Sequence, residues 1–553
     1  MTHLHSTHAQ PPTRATPHGG FKATALYRVL LTGPAPKGPR FSIPELWPGD
    51  PQRGREILEG AFRFQSETHI LTADDDVPAH ASSAWQAWFH AFGWLTDLQA
   101  LQGTDNGEKA ANFARQAVTA WSLANHKWTY PGWAPEVTAD RIVNCISAWT
   151  FLINEAPDGA FEKLLRQMAG RDVRHLNRST PGPDQGYMRL HAIKGQVYAA
   201  FALLGGERTQ QSILLRLAND IKTQVLPDGG HVERNPECLA KVLHDLLDLR
   251  NLCCVAMGQV PDFIQNAIDR SAPMLRALRH SDGGLALFNG GLEGNAQDLD
   301  RLLGLTDPTT TPPLSAPYAG FQKLSADSTS ILMDCGKPGG PGLNHHAGTL
   351  SFEMCVGKKR LIVNCGARTG RSDPWRTALA ATAAHSVLTV NDTSSAAFSL
   401  DGALRRGPEM VACERQDNEH GTLIEASHDG YVNTFGLVHH RSLFLDPTGG
   451  DVRGEDRLVG TGGEYLTIRF HLHPDVHVSL LGGGTAVLLR LDNKSKETWR
   501  LRTSTGIISL EESVYLGHDG EHRRTEQIVI SHPLSGNGAL LKWSLSREGT
   551  LTK

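Results

Sequence analysis

The chain has 553 residues, which is too long for one hydrophobic core and predicts two or more domains. Its hydrophobic content of 40% and charged content of 20% are typical of a globular protein, and a formal net charge of −4 disfavours a nucleic-acid-binding protein with a strongly basic surface. The eight cysteines form no C-x-x-C motif, which predicts reduced thiols rather than a disulfide framework.

Residues 1–50 are rich in proline, glycine and histidine, which predicts a mobile arm followed by an extended lead-in. The first residues lack the basic and apolar regions of a signal peptide. No apolar stretch approaches the length of a membrane span. Taken alone, these observations favour a cytoplasmic protein.

Residues 51–285 carry a series of amphipathic helices joined by short loops. In Ser83–Leu101, for example, Trp85 and Phe89 belong to an apolar stripe at i, i+3, i+4 spacing. Asn235-Pro236 is a strong start signal for a helix to Met257, because asparagine caps and proline suits the first helical position. The further predicted helices are Glu108–Asn125, one from a Thr138 cap to Ile153, Phe161–Leu176, Arg189–Leu204, Gln211–Val225 and Pro261–Arg279. Short connections predict antiparallel neighbours in a ring or bundle.

Residues 286–320 are rich in glycine, proline and aspartate and predict a linker. From residue 321 to 553 the pattern changes to short alternating runs separated by glycine, aspartate and asparagine turns. Examples of these runs are Ser330–Asp334, Thr422–Ala426, Leu466–His473 and Ala486–Leu491. Frequent strands over such a length predict stacked antiparallel sheets in a β-sandwich.

The segment Asn344–Asn364 holds the most informative polar pattern of this second half. Paired histidines precede an alternating run, and a regular pleat would place His346 on the same face as Leu350. His385 precedes another strand, Val387–Val390. Two histidines and an asparagine at strand ends are therefore placed to converge.

Three motifs resemble those of the heparinase II/III-like polysaccharide lyases. They are the run Leu226–Glu233, the pattern His346-x-x-x-Leu350-Ser351-Phe352-Glu353, and Ala384-His385-Ser386. The resemblance implies an N-terminal α/α toroid (an incomplete helical barrel) followed by a C-terminal antiparallel β-sandwich. It also implies β-elimination of an acidic, uronate-containing polysaccharide or oligosaccharide at an interdomain cleft. Such enzymes work in the periplasm or cell envelope, which conflicts with the missing signal peptide.

The resemblance also implies where catalytic groups should lie. β-Elimination needs a base for the α-proton and an acid for the departing oxygen, and the family uses an Asn-His pair, a tyrosine and a β-domain histidine. Here Tyr187-Met188 replaces the Asn-His pair, Cys238 stands near the tyrosine position, and Asn344 replaces the histidine. The candidate catalytic residues that remain are His231, Tyr187, Asn344 and His345.

A metal site follows from the same resemblance, with His346, Asn364 and His385 as its ligands. Asparagine stands where the family has aspartate, so the predicted zinc site is weak. The alternative is that His346 and His385 are buried histidines bonded to backbone carbonyls. A nucleotide cofactor is not expected, since the chain has neither a Walker A motif nor a Rossmann glycine turn.

Glu233, Arg376 and Trp133 are candidate substrate-binding residues. Each has a simpler interpretation, as a loop cap, a structural arginine and a packed aromatic ring. Because of the substitutions, the alternative to a lyase is a non-catalytic glycan-binding or structural member of the same family. Hydrolysis by two carboxylates ranks last, because Glu233 is the only acid that we can name for it.

Overall fold

The computed structural model describes residues 20–154, 159–342, 344–368, 373–399, 402–491, 497–518 and 521–548. They form two compact units. The first comprises the described part of residues 1–180 together with 195–206, and the second comprises residues 181–194 and the described part of 207–553. The predicted domain boundaries at residues 285 and 320 remain predictions.

The first unit is mainly helical. Its elements are α1 (Ala25–Leu30), α2 (Pro51–Leu58), a hairpin of β1 (Ala61–Phe64) and β2 (Glu67–Ile70), α3 (Ser83–His90), α4 (Leu95–Gln99), α5 (Gly107–Ala124), α6 (Pro135–Ser147), α7 (Trp149–Ile153) and α8 (Gly159–Ser179). Aromatic rings of the predicted Ser83–Leu101 stripe form its core, and Trp85 and Phe89 stack with ring centroids 5.2 Å apart. The apolar stripe therefore packs inward, as an amphipathic helix requires.

Three local predictions for this unit are wrong. The helix predicted over Ser83–Leu101 is two helices, because Phe92 adopts a left-handed backbone with φ of 62°. Thr138 lies inside α6 rather than capping it, and the helix begins at Pro135. The β1–β2 hairpin has no counterpart in the predicted series of helices.

The helices of the second unit follow the sequence signals more closely. They are α9 (Tyr187–Tyr198), α10 (Glu207–Gln224), α11 (Pro236–Met257), α12 (Asp262–Ala277) and α13 (Ala296–Gly304). Residues 195–198, at the end of α9, belong to the first unit. α11 has the predicted bounds, with the Asn235 side chain accepting a hydrogen bond from the Cys238 backbone N–H. α13 lies within the segment predicted as a linker.

The rest of the second unit is built from antiparallel strands. An eight-stranded sheet has the order β11 (Val411–Asn418), β12 (Gly421–Tyr431), β13 (Leu437–Leu445), β14 (Asp451–Gly460), β21 (Gly538–Glu548), β18 (Thr498–Thr503), β17 (Ala486–Arg490), β16 (His477–Leu481). A nine-stranded sheet has the order β19 (Ile507–Tyr515), β20 (Arg523–Pro533), β15 (Tyr465–Leu472), β7 (Lys359–Val363), β6 (Phe352–Val356), β5 (Thr329–Asp334), β4 (Phe321–Ala326), β3 (Ser315–Ala316), with β8 (Leu388–Val390) also paired to β15. The short elements β9 (Ala397–Phe398), β10 (Leu404–Arg406), α14 (Trp375–Ala380) and α15 (Val432–Phe435) complete it.

The two sheets share one hydrophobic core. Phe352 on β6 stacks on Trp543 of β21 with ring centroids 5.7 Å apart, and Phe470 on β15 meets the same indole edge-on. Such offset and edge-to-face pairs add to the free energy gained by burying the rings. The second unit thus contains the two-sheet sandwich that the alternating runs predict.

The alternating run that follows the paired histidines, which predicts a strand with one buried face, forms a shorter and more deeply buried strand. β6 begins at Phe352, since Leu350 has a φ of 67° and interrupts the pleat, so His346 does not lie on a strand face. Every residue of β6 is buried, including Glu353. The predicted exposed face is wrong because Glu353 accepts hydrogen bonds from the His280 ring and from the Asn364 and Leu287 backbone N–H groups.

A buried ion pair joins the neighbouring strands β13 and β14 of the eight-stranded sheet. Asp456 on β14 accepts two hydrogen bonds from the Arg441 guanidinium, one from the His439 ring and one from the Trp543 indole N–H. Burial alone would raise the pKa of Asp456, but Arg441 and His439 outweigh it and hold the pKa far below the ordinary value. The Arg441 and Asp456 side chains have 0% exposure.

Within the described residues, no helix combines the length and apolarity needed to cross a bilayer.

The Asp456→Asn substitution should strongly destabilise the protein. It leaves the Arg441 guanidinium buried without its counter-charge, and we expect a loss of about 3–5 kcal/mol in the free energy of unfolding, measured by urea denaturation. Asp475→Asn is the matched control, because the Asp475–Arg523 pair has exposures of 61% and 37% and should cost less than about 1 kcal/mol. Equal losses in the two variants would contradict this account.

Candidate functional site

The loop between α10 and α11 presents His231 and Glu233. An antiparallel bridge between Val225 and His231 closes the intervening turn. At the turn, Gly229 has a φ of 86°, a conformation that suits glycine. The chain then enters α11 through Asn235, so both side chains sit beside the first turn of that helix.

His231 is enclosed by its own neighbours. Its Nε2 atom lies 3.1 Å from the Gln224 Oε1 atom, and its Nδ1 atom lies 3.3 Å from the Cys238 sulfur. Burial lowers the pKa of His231 to about 3, so the imidazole is neutral near pH 7. Burial likewise raises the pKa of the Cys238 thiol well above its ordinary value.

Glu233 is a carboxylate held in a narrow space. Its Oε1 atom accepts a hydrogen bond of 2.7 Å from the Tyr187 backbone N–H. A Cβ atom at Gly186 or at Gly342 would approach the Glu233 carboxyl group to 2.2 Å or 2.5 Å, so only glycine fits beside it. Burial raises the pKa of Glu233 to about 7, although the Tyr187 N–H and the charge of Lys241 oppose the rise.

The Tyr187 hydroxyl belongs to a hydrogen-bonded chain on α9 and α11. It lies 3.1 Å from the His191 Nδ1 atom, which lies 2.7 Å from an Asp245 carboxylate oxygen. Lys194 donates a hydrogen bond of 2.7 Å to the other Asp245 oxygen. Burial would raise the pKa of Asp245, but His191 and Lys194 hold it well below its ordinary value. The phenol of Tyr187 is therefore held beside an imidazole and a buried carboxylate.

His346 and His385 converge, as predicted. The Nδ1 atom of His346 lies 3.1 Å from the Nε2 atom of His385. The His385 Nδ1 atom donates to the Ala381 carbonyl at 2.9 Å, so its Nε2 atom carries the lone pair and accepts the proton of His346 Nδ1. Burial lowers the pKa of both rings, and each ring is therefore neutral near pH 7.

Asn364 lies beside this pair but its amide is fully engaged. The Nδ2 atom donates to the Leu287 carbonyl at 3.2 Å, and the Oδ1 atom accepts from the Ser386 backbone N–H at 3.0 Å. A metal at His346, Asn364 and His385 would have to replace the hydrogen bond between the two rings and would gain no anionic ligand. The three residues do not fit a zinc ion in this arrangement.

Among the residues that the structure describes, two other groups of side chains could hold a metal. One comprises His231, Glu233 and Cys238, and the other comprises His244, Asp245 and Asp248. In the second group the Lys194 ammonium lies 2.7 Å from Asp245 and 2.5 Å from Asp248, so a fixed positive charge already occupies the position of a cation.

The remaining predicted site residues lie in different surroundings. His345 is 6% exposed and donates from Nε2 to the Gly340 carbonyl at 3.1 Å. Arg376 is half-buried and close enough for its charge to contribute to the lowered pKa of His346. Asn344 is half-buried and its backbone lies against Gly290. Trp133, in the first unit, is 1% exposed and donates its indole N–H to the Asn125 carbonyl, which leaves no ring face for a sugar.

The sequence reasoning missed several polar residues of the site. These residues are buried and hold the surrounding segments in place. They are Gln224, Asp245 and the Arg234–Asp334 ion pair. Asp245 and Asp248 interrupt the apolar pattern of α11. Acidic residues at positions expected to be buried are the signal that could have identified them. Gln224 carries no such signal, because its role depends on the fold of the following turn.

Comparison with known proteins agrees with this architecture. The sequence profile of the family described as "Heparinase II/III-like, C-terminal" matches residues 308–544. FtsZ-localized protein C of Caulobacter vibrioides (strain NA1000 / CB15N) is 30% identical over 550 residues, covering 94% of this chain and 92% of that protein. The chain belongs to the heparinase II/III-like family.

Solved structures place the heparinase fold on almost the whole chain. Heparinase III matches with a TM-score of 0.73 at 13% identity, over 95% of this chain and 89% of that chain. A mutant of the heparan sulfate lyase HepC from Pedobacter heparinus matches with a TM-score of 0.65 at 15% identity, over 95% and 88%. The chondroitin AC lyase of Streptomyces coelicolor A3 matches with a TM-score of 0.55 at 12% identity, over 96% and 80%. The predicted α/α toroid followed by an antiparallel β-sandwich is confirmed.

Lowering the pH should destabilise the protein through the His346–His385 pair. Both pKa values lie below the ordinary 6.5 in the folded state, so protonation favours the unfolded chain and stability falls as the pH drops below 6.5. We expect His346→Gln to lose less thermal stability than the parent between about pH 7.5 and about pH 5.5, two values on either side of the ordinary histidine pKa.

His420→Gln is the matched control for this measurement, since the His420 side chain is 82% exposed. The control should keep the full pH dependence of the melting temperature. If His346→Gln also keeps it, the neutral hydrogen-bonded pair is not a source of the pH dependence.

Proposed function

We propose that this protein is a non-catalytic member of the heparinase II/III-like family that acts together with FtsZ. The observation that carries the proposal is the chemistry at the positions that the family resemblance assigns to catalysis. Met188 and Asn344 have no titratable group, and the Cys238 residue is only 6% exposed. β-Elimination needs a base and an acid that reach the substrate, and these side chains supply neither.

The neighbouring histidines support the same proposal. A general base needs a pKa near the working pH and a free lone pair. Burial lowers the pKa of His231 to about 3, and its Nδ1 atom accepts a hydrogen bond from the Glu233 backbone N–H. The lone pair on His385 Nε2 is used by His346. Each of these groups is satisfied inside the protein, as expected for residues kept for structure.

The relationship to FtsZ-localized protein C supports the second part of the proposal. That protein matches over 94% of this chain at 30% identity, well above the 12–15% of the lyase structures. We therefore infer that this protein localises with FtsZ. An acidic polysaccharide remains a candidate ligand of the fold, with Arg376 as its carboxylate contact.

The second candidate function is an active polysaccharide lyase in which Tyr187 serves as acid and base. The contacts of Tyr187 and Asp245 with the Nδ1 atom of His191 favour it, because they hold the phenol beside an imidazole–carboxylate pair. Glu233 and Arg376 would then contact the uronate. This candidate lacks a separate group for the second proton transfer.

Uronate polymers distinguish the two functions. We expect heparan sulfate, chondroitin sulfate and alginate to give no rise in ultraviolet absorbance from an unsaturated product, with or without Zn²⁺. A lyase would produce that absorbance, and Tyr187→Phe would then lower the rate by about 10²- to 10⁴-fold, as the loss of a general acid–base group does. Turnover abolished by Tyr187→Phe would overturn the non-catalytic proposal.

The partner is tested by co-sedimentation of the full chain with FtsZ. We expect the chain to enter the pellet when FtsZ is assembled with GTP and to stay in the supernatant when FtsZ is omitted or GDP is supplied. The His346→Gln variant should sediment like the parent, because His346 is buried and offers no surface. Absence of the chain from the FtsZ pellet would contradict this part of the proposal.

A further inference from the structure

Three metal-binding side chains meet at the start of α11. The His231 imidazole, the Glu233 carboxylate and the Cys238 thiol bring their ligand atoms within 4.8 Å of one another. His231 and Cys238 are 2% and 6% exposed. A set of one nitrogen, one oxygen and one sulfur donor suits Zn²⁺ and other borderline-soft divalent ions.

The orientation of His231 is that of a metal ligand. The Gln224 Oε1 atom can only accept, so the His231 Nε2 atom carries the proton and the lone pair is on Nδ1. That lone pair accepts a hydrogen bond of 3.3 Å from the Glu233 backbone N–H and also lies 3.3 Å from the Cys238 sulfur, so a bound ion would replace the contact with the N–H. Histidine ligands almost always donate their other ring N–H to an oxygen in this way, which fixes the tautomer.

The spacing also agrees with tetrahedral coordination. Zinc bonds of about 2.3 Å to sulfur and about 2.0–2.1 Å to nitrogen separate the two ligand atoms by about 3.6 Å. The Cys238 sulfur and the His231 Nδ1 atom are 3.3 Å apart. To bind an ion, these two atoms would therefore have to move apart by only about 0.3 Å.

The surroundings hold the other two ligands in place. The Tyr187 backbone N–H donates to one oxygen of Glu233, an outer contact of the kind that orients carboxylate ligands. Cys238 is the third residue of α11, so its side chain lies in the first turn of the helix beside the Leu226–Glu233 loop. Asn235 fixes the Cys238 backbone by accepting its N–H at 3.1 Å.

We propose that His231, Glu233 and Cys238 together bind one Zn²⁺ or similar divalent ion. The ion would join the Leu226–Glu233 loop to the first turn of α11. This site differs from the His346, Asn364 and His385 set, and it does not depend on the proposed function, because a structural ion needs no catalytic partner.

Cobalt tests the sulfur ligand directly. The full chain, stripped by a chelator and titrated with Co²⁺, should develop thiolate-to-cobalt charge-transfer absorbance that saturates at one ion per chain and is displaced by Zn²⁺. Cys238→Ser should abolish this absorbance. Cys254→Ser, an exposed cysteine on the same helix, is the matched control and should retain it. Cobalt bound by the histidine-rich N-terminal residues gives no thiolate band and does not interfere.

Zinc affinity tests the outer contact. Gln224→Ala should weaken Zn²⁺ binding by about 10- to 100-fold in competition with a chromophoric chelator, because the His231 tautomer is no longer fixed. Absence of the thiolate band, or a band that survives Cys238→Ser, would overturn the proposal and leave the three residues as a hydrogen-bonded cluster.

If Cys238→Ser fails to fold, zinc-edge X-ray absorption of the zinc-loaded parent chain replaces it. A sulfur shell at about 2.3 Å supports the site. A shell of nitrogen and oxygen alone overturns it.

Discussion

The Arg441–Asp456 ion pair is the interaction on which the β-sandwich site depends. Asp456 holds the guanidinium in the core, and the Arg441 Nη1 atom donates to the Leu350 and Ser386 carbonyls at 2.9 Å each. Leu350 and Ser386 lie just outside the regular strands β6 and β8. A buried charge with satisfied donors therefore positions the segments that bear His346 and His385, beyond any contribution to stability.

Local signals in the sequence were sufficient for much of the fold. The bounds predicted for α11 are those observed, because Asn235 caps the helix and Pro236 suits its first turn. In the structure, Gly258 ends the helix with a φ of 71°. The strands were predicted from alternation. The breaks at Phe92 and Leu350 were missed, because non-glycine residues adopt a positive φ only when tertiary packing imposes it.

The candidate site was predictable in composition but not in function. The sequence identified His231, Glu233, His346 and His385, and the structure brings each pair together. The sequence does not show that both amide atoms of Asn364 are hydrogen-bonded to backbone groups. Nor does it show that His191 contacts Asp245, which is 54 residues away along the chain. Hydrogen-bond partners decide whether a histidine is a base, a ligand or a packing residue, and such partners come from distant parts of the chain.

The tight enclosure of Cys238 has an evolutionary consequence. A tyrosine at this position would need room for a phenol ring where the thiol lies 3.3 Å from the His231 ring and the side chain is almost fully covered. Reversal by one substitution would overpack this region and destabilise the loop. Several neighbours would have to change together before a tyrosine could occupy this position. Steric packing therefore favours retention of the small thiol, whatever the activity of the protein.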